Sequence, residues 1–355
     1  MIYVHVPFCR SFCTYCDFYS EIASDEAFEQ FADEVCREIE ERRKEITDEV
    51  NTLYIGGGTP SVPPLSVLGK IVSAIGRGPY DEFTVEVNPE DIVEKGPSYV
   101  EGLRTLGINR ISMGIQSFDD RILRWMNRRH NSARAEEAFH LLREGGFDNI
   151  SIDLIFGFPL LTERLWKKTI EKALDLSPEH ISCYQLSIEE GSHLAILASK
   201  GLFKEASEED SRRQYDTLCK ALSGAGYYHY EISNFALPGK EAIHNSAYWR
   251  RVPYVGFGPG AHSFDGHIRR WNSESILGYT HGEEVLTDED IRVELIMLGL
   301  RTSRGIKEEY LRANCDKDAL QTLVSKKVLV PSEEGRLRIG EDYFFVLDSI
   351  LAELI

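Results

Sequence analysis

The chain has 355 residues, enough for one large domain with a smaller one or for two of similar size. Hydrophobic residues are 42% and charged residues 28%, the balance of a globular protein with a sizeable core. The 58 acidic against 40 basic side chains leave a net charge of -18, which repels phosphate backbones and anionic lipid and argues against nucleic-acid or membrane-surface binding.

The opening MIYVHVPFC lacks a basic leader and a long apolar stretch and carries Pro7, unlike a secretory signal. No apolar run reaches the roughly 18 residues of a membrane span. A cytoplasmic protein is expected. IYVHVPF from Ile2 reads as a strand, and a charged helix follows from Asp25 to Glu45. NTLYIGGG from Asn51 is a strand running into glycines, followed by a helix from Leu65 to Ile75. The strand EFTVEVN from Glu82, a helix over Pro97 to Leu106 and the strand NRISMGIQS from Asn109 come next. Helical segments reach Arg143. NISIDLIFGFP from Asn149, a helix from Thr162 to Leu174 and HISCYQLSI from His180 complete six βα-type repeats. Such alternation predicts an α/β fold with a parallel sheet, and six units are enough for a partial (β/α)6 barrel. The strand ends carry Cys9, Gly56 to Thr59, Glu86, Gln116 and Asp153, at the edge where parallel α/β folds build active sites.

After about Ile188 the pattern changes. A helix over Glu208 to Gly224 leads to GYYHYEISNFALPGKEAIHNSAYW, rich in aromatics and histidine, and then to the glycine-rich VGFGPGAHSF from Val255. From Asp288 the chain reads as two helices, a strand pair over Val328 to Ile339 and a last helix. The expected division is residues 1–190 for the barrel, 191–285 for a connecting α+β extension, and 286–355 for a small winged-helix-like appendage whose default role is packing.

Seven cysteines without a secretory leader argue against disulfide stapling. Cys36, Cys183, Cys219 and Cys315 are scattered and read as buried small hydrophobes. Cys9, Cys13 and Cys16 cluster in CRSFCTYCDF. Zinc, an iron–sulfur cluster, or no metal are all open to three thiols. A structural zinc site closes with four ligands, usually as two separated pairs. A cubane cluster normally takes four thiolates, so three leave one iron open to a substrate or cofactor.

The spacing C-x3-C-x2-C with an aromatic before the last cysteine resembles the signature of the radical S-adenosylmethionine (SAM) superfamily. The resemblance implies a [4Fe–4S] cluster on Cys9, Cys13 and Cys16, whose open iron chelates the amino and carboxylate groups of SAM and cleaves it when reduced. In that superfamily the glycine-rich end of the second strand contacts the SAM amino group, which implies Gly57, Gly58 and Thr59 here. The ordered motifs YVHVPFC, GGGTP, VEVNP, GIQSF and IDLIFGFP resemble the oxygen-independent coproporphyrinogen III oxidase group over nearly all of the chain. By that resemblance Tyr3, Glu86, Gln116, Arg128 and Asp153 line the SAM site, with carboxylates accepting from ribose hydroxyls and Arg128 pairing with the SAM carboxylate.

The genuine oxidases of that group have a fourth cysteine two residues after the third, where this chain has Phe18, and an N-terminal extension before the first strand. HNSAYW matches the HNxxYW motif of the HemW haem chaperone family, and VGFGPGAHS continues the match. This implies haem contacts at His244, Asn245, Tyr248 and Trp249, with an imidazole as axial ligand and aromatic rings on the porphyrin. His262 is a second possible ligand. The alternative role for the motif is to tie the second part of the chain to the barrel. The expected function is haem binding and delivery to acceptor haemoproteins, with a reductant such as flavodoxin or ferredoxin for the cluster. Oxidative decarboxylation of coproporphyrinogen III is the alternative, and another radical SAM reaction on a tetrapyrrole ranks last.

Overall fold

The computed structural model describes residues 1–22, 24–47 and 49–355. Short apolar segments with few breaks form strands buried on both faces, as in β1 (Ile2–Val6), where every residue but Tyr3 is buried. The βα alternation continues with α1 (Asp25–Arg42), β2 (Thr52–Gly57), α2 (Leu65–Ile75), β3 (Glu82–Val87), α3 (Pro89–Thr105) and β4 (Arg110–Gln116). Then come α4 (Asp120–Trp125), α5 (Ser132–Glu144), β5 (Ile150–Phe156), α6 (Glu163–Leu176) and β6 (His180–Gln185). Strands β1 to β6 pair in parallel and in sequence order, with helices packed outside, so the expected α/β barrel-like sheet is present.

Helix α3 starts eight residues earlier than the expected Pro97. Asn88 caps it by accepting from the Glu90 N–H, and Pro89 takes the first turn, where its missing N–H costs nothing. Pro97 sits inside the helix just after a kink at Gly96, whose φ of 69° breaks the helical geometry.

The chain continues through α7 (His193–Ser199), α8 (Glu208–Gly224), β7 (Tyr228–Glu231), β8 (Asn234–Ala236), α9 (Ile243–Trp249) and β9 (Val255–Phe257). These strands join the same sheet rather than a separate layer. Strand β8 runs antiparallel beside β6, with β7 outside it, and β9 runs parallel to β1, giving the order β7-β8-β6-β5-β4-β3-β2-β1-β9. A second, antiparallel sheet holds β10 (His262–Phe264), β11 (Ile268–Asn272) and β12 (His281–Val285). Helix α10 (Asp288–Leu300) opens the C-terminal part with a capping box of Thr287 and Asp290. Strand β13 (Ile306–Lys307), α11 (Glu308–Asn314), α12 (Lys317–Ser325), β14 (Leu329–Ser332), β15 (Arg336–Ile339) and α13 (Leu347–Leu354) follow. The expected strand pair is a three-stranded sheet, β13-β15-β14. Of the scattered cysteines, Cys183 is fully buried, while Cys36, Cys219 and Cys315 are half-buried against the core.

The HNxxYW segment is α9, and it is bolted to the sheet. His244 is 1% exposed. Its Nδ1 lies 2.9 Å from the Thr52 hydroxyl on β2, and its Nε2 lies 3.0 Å from the Tyr248 hydroxyl. The backbone N–H groups of Ile243 and His244 donate to the Glu82 carboxylate on β3 at 2.7 and 3.1 Å. Trp249 lies under the Arg301 guanidinium, 4.6 Å from the ring centroid, which ties α9 to the end of α10.

Burial pushes the His244 pKa down to about 3, so the fold holds this ring neutral. The unfolded chain binds the proton near 6.5, so His244 contributes stability above that pH which is lost as pH falls towards 3. Glu86 and Asp153 act in the opposite sense, because burial raises their pKa values. We expect His244→Gln to lower stability by roughly 1–3 kcal/mol at pH 7.5, through lost buried hydrogen bonding. It should also flatten part of the fall in Tm between about pH 6.5 and 4. Thermal melts across that range check this; a wild-type Tm and slope in the variant would contradict the strut.

Candidate functional site

Because β1 to β6 are parallel, their C-terminal ends meet at one edge, and a cavity of about 1110 Å³ opens there. Strand β1 runs into the loop carrying Cys9, Cys13 and Cys16, and all three line the cavity. Neighbouring segments hold this loop by its backbone. The Cys9 N–H donates to the Glu21 carbonyl at 3.0 Å, and the Thr14 N–H to the Met126 carbonyl at 3.2 Å. The Leu194 N–H donates to the Thr14 carbonyl at 2.8 Å, and the Asn127 amide to the Phe12 carbonyl at 2.7 Å.

The glycines after β2 lie flat against the start of this loop. Gly57 has a φ of 110°, and a Cβ there would stand 2.7 Å from the His5 ring; one on Gly58 would stand 2.9 Å from the Phe8 carbonyl oxygen. The close approach brings Thr59 Oγ1 to 3.5 Å from Cys9 Sγ, so two motifs fifty residues apart meet at the cavity wall. The Gly57 N–H and the Tyr54 hydroxyl donate to the two oxygens of Glu86, at 3.1 and 2.7 Å.

Gln116 ends β4 at a break in the β4–β5 register and has a φ of 67°. A bulge with left-handed backbone re-aims a side chain at a strand end, and Gln116 lines the cavity. Arg128 donates to the Gly114 carbonyl at 2.6 Å and stands 3.4 Å from Cys13 Sγ. Asp153 accepts weakly from the Ser112 hydroxyl at 3.4 Å.

These groups sit deep in the cavity, where water is scarce and charge is costly. Burial, helped by the Asp153 charge, raises the Glu86 carboxyl to about 7, and burial raises Asp153 to about 6. Burial likewise pushes the Cys9 thiol up and the Cys16 thiol up to about 12. Thiols of raised pKa hold their protons until a metal takes the sulfur, so ligation must release protons.

The lining suits an iron–sulfur cluster with SAM beside it. Three thiols share one loop, and among the described residues no fourth cysteine lines the cavity. Nor do three His, Cys, Asp or Glu side chains among them converge as closely as the ligands of a single metal ion. Cys9, Cys13 and Cys16 would hold an iron–sulfur cluster as its thiolate ligands. The arginines Arg110 and Arg128 on the floor each keep a buried Nε–H with no acceptor, so this floor is short of acceptors that a carboxylate-bearing ligand supplies.

Of the expected SAM-site residues, Gly57, Gly58, Thr59, Glu86, Gln116, Arg128 and Asp153 are brought together on the lining. Tyr3 is not among them. Its ring stacks on Tyr54 at 6.1 Å and its hydroxyl meets His5 Nδ1 at 3.1 Å, so it supports Tyr54 from behind. The expected haem residues divide as well. Asn245 lines the cavity, whereas His244, Tyr248 and Trp249 do not. Both ring nitrogens of His244 are engaged, so in this conformation neither offers a lone pair to an iron. His262 lies on β10, stacked with Trp271 at 6.2 Å, away from the lining. Several lining residues escaped the sequence reading: Tyr54, Arg110, Ser112, Ser182 and His193. Arg110 left a signal, since a charge inside the apolar run RISMGI asks for a buried partner.

The Radical SAM superfamily model matches residues 3–173. "Heme chaperone HemW" of Lactococcus lactis subsp. lactis (strain IL1403) is 31% identical over 375 residues, which cover 98% of this chain and 97% of its own. "Heme chaperone HemW" of Bacillus subtilis (strain 168) is 34% identical over 325 residues, covering 86% of this chain and 84% of its own. The solved structure of the coproporphyrinogen III oxidase HemN from Escherichia coli, described as a radical SAM enzyme, superposes with a TM-score of 0.80 at 21% identity. It covers 99% of this chain and 88% of that one, and the likeness is one of fold. The chain therefore carries a radical SAM barrel, for which the superfamily implies a [4Fe–4S] cluster and SAM. Within that superfamily it belongs to the HemW family.

Substituting any one of Cys9, Cys13 or Cys16 by Ala should remove the cluster's visible absorption after anaerobic reconstitution and lower bound iron to near zero. Cys219→Ala, off the cavity, should leave both intact. Absorption spectra with iron and sulfide assays check this; an intact cube in any of the three variants would contradict the ligand assignment.

Proposed function

We propose that this chain binds haem and hands it to haem proteins, while its barrel holds a [4Fe–4S] cluster and SAM. The observation that carries this reading is the match to HemW chaperones over almost the full length of both chains. At 98% of this chain, that match extends well beyond the superfamily core at residues 3–173. Cys9, Cys13 and Cys16 would hold the cluster, with Gly57 to Thr59, Glu86, Gln116, Arg128 and Asp153 around SAM. A reduced cluster supplies an electron to SAM when both are bound. This chain's own residues fix the polar wall that receives them and keep water sparse around Glu86 and Asp153. A small electron carrier of the flavodoxin or ferredoxin kind would reduce the cluster, and a cytoplasmic location suits both partners.

The second reading is oxidative decarboxylation of coproporphyrinogen III, favoured by the fold shared with the Escherichia coli oxidase. The position where genuine oxidases resemble one another in carrying a fourth cysteine is Phe18, whose side chain is 66% exposed on the cavity rim. An apolar group there serves an apolar cargo better than redox chemistry.

Reconstituted protein should bind haem saturably, seen in the Soret band. With coproporphyrinogen III, SAM and a reductant under anaerobic conditions it should form no protoporphyrinogen. Decarboxylation at catalytic turnover would replace the chaperone reading with the oxidase one.

A further inference from the structure

The cavity has two chemically distinct parts. Its floor is polar and suited to SAM. Its rim gathers exposed large apolar groups, Phe12 at 51%, Phe18 at 66%, Tyr184 at 43% and Ile196 at 47%, among the exposed charges Arg10, Asp17, Glu189, Glu190 and Glu274. Large apolar groups gathered on the rim of a cavity mark a binding surface rather than scattered surface residues. The cavity volume of about 1110 Å³ lies at the top of the roughly 300–1,000 Å³ range of small-molecule pockets, and the cavity opens to solvent at this rim.

His193 stands at this rim. Of the ten histidines in the chain, it alone lines the cavity. It is exposed, and its imidazole makes no hydrogen bond or ion pair with any described residue. Its backbone is nonetheless fixed. The next residue, Leu194, is fully buried and donates its N–H to Thr14 on the cysteine loop at 2.8 Å, while Ser192 caps α7 by accepting from the Ala195 N–H at 3.1 Å. A free lone pair is thus held beside the cysteine loop on a rigid support. Buried His244, with both nitrogens engaged, is its opposite.

We propose that haem binds in the mouth of the barrel, against Phe12, Phe18, Tyr184 and Ile196, with His193 as the axial ligand of its iron. The inference rests on the haem-binding reading above and adds the site and the ligand. Haem is flat and apolar on both faces, takes a nitrogen donor on its axis, and carries two carboxylates on one edge. Aromatic and aliphatic rim groups suit the faces and the free imidazole suits the iron. The charges set the orientation. Arg10, on the same lining, has no ion-pair partner among the described residues and attracts the propionates, while Asp17, Glu189, Glu190 and Glu274 on that lining repel them. The cysteine loop then does two jobs, with its thiols turned to the cluster and Arg10, Phe12 and Phe18 turned to the cargo.

The test is an anaerobic haem titration of the full-length, cluster-reconstituted protein, followed by the Soret band and by electron paramagnetic resonance of ferric haem. His193→Ala should change the axial-ligand signature and weaken binding by about tenfold or more. Phe18→Ser should weaken binding and leave the axial signature unchanged. His140→Ala, on an exposed face of α5, should behave as wild type. Failure of the wild type to bind haem overturns the haem-binding reading itself. Wild-type binding with an unchanged signature and affinity in His193→Ala overturns the site alone, as does loss of the signature in His262→Ala instead. Unchanged haem affinity in Phe18→Ser with slower transfer to an apo-haemoprotein would make the rim a protein-docking surface and also overturn the site.

Discussion

Everything at the functional edge depends on how the Cys9–Cys16 loop is held. The loop has almost no regular structure, so its shape is set by hydrogen bonds from elsewhere: from Glu21, from Met126 and Asn127 after α4, and from Leu194 at the start of α7. The glycines of β2 complete the arrangement, because a Cβ at Gly57 or Gly58 would push the β1 and β2 ends apart. Three thiols are thereby presented together without a cage of their own. Segments on three sides of the barrel converge on one short stretch, so a change in any of them reaches the thiols through the backbone.

Beneath and above this loop the cavity changes character. The floor carries two arginines, two carboxyls of raised pKa and two buried N–H groups without acceptors. Such a floor is costly in isolation and is relieved by a polar, charged ligand. The rim carries exposed apolar side chains and the imidazole of His193, among several charged residues. Two unlike surfaces on one cavity fit two unlike ligands. The HNxxYW segment serves this arrangement indirectly: His244 and Glu82 fasten α9 across β2 and β3, and Asn245 alone of its four motif residues reaches the lining.

Much of this was legible in the sequence, for a physical reason. Parallel strands with helical crossovers announce themselves by local periodicity, and their ends share one edge by geometry, so Cys9, Gly57, Glu86 and Asp153 could be placed together from pattern alone. What stayed hidden was long-range pairing. Strand β9 pairs with β1 across some 250 residues, and no local signal says so. The partner of His244, Thr52, is 192 residues away, so nothing local in HNSAYW shows that its ring is tied to β2. His193 was hidden for the converse reason, because a lone histidine at the start of a short helix has nothing in its neighbourhood to distinguish it. The early start of α3 was readable in Asn88-Pro89 but was masked by the interior Pro97.

The central claim is that cluster and haem share one cavity at the barrel mouth. The direct measurement is anomalous diffraction at the iron edge from crystals of reconstituted, haem-loaded protein. The account predicts cluster density at Cys9, Cys13 and Cys16 and a separate haem iron beside His193 at the rim. Haem iron next to α9 or on the β10 side, with an empty barrel mouth, would contradict it.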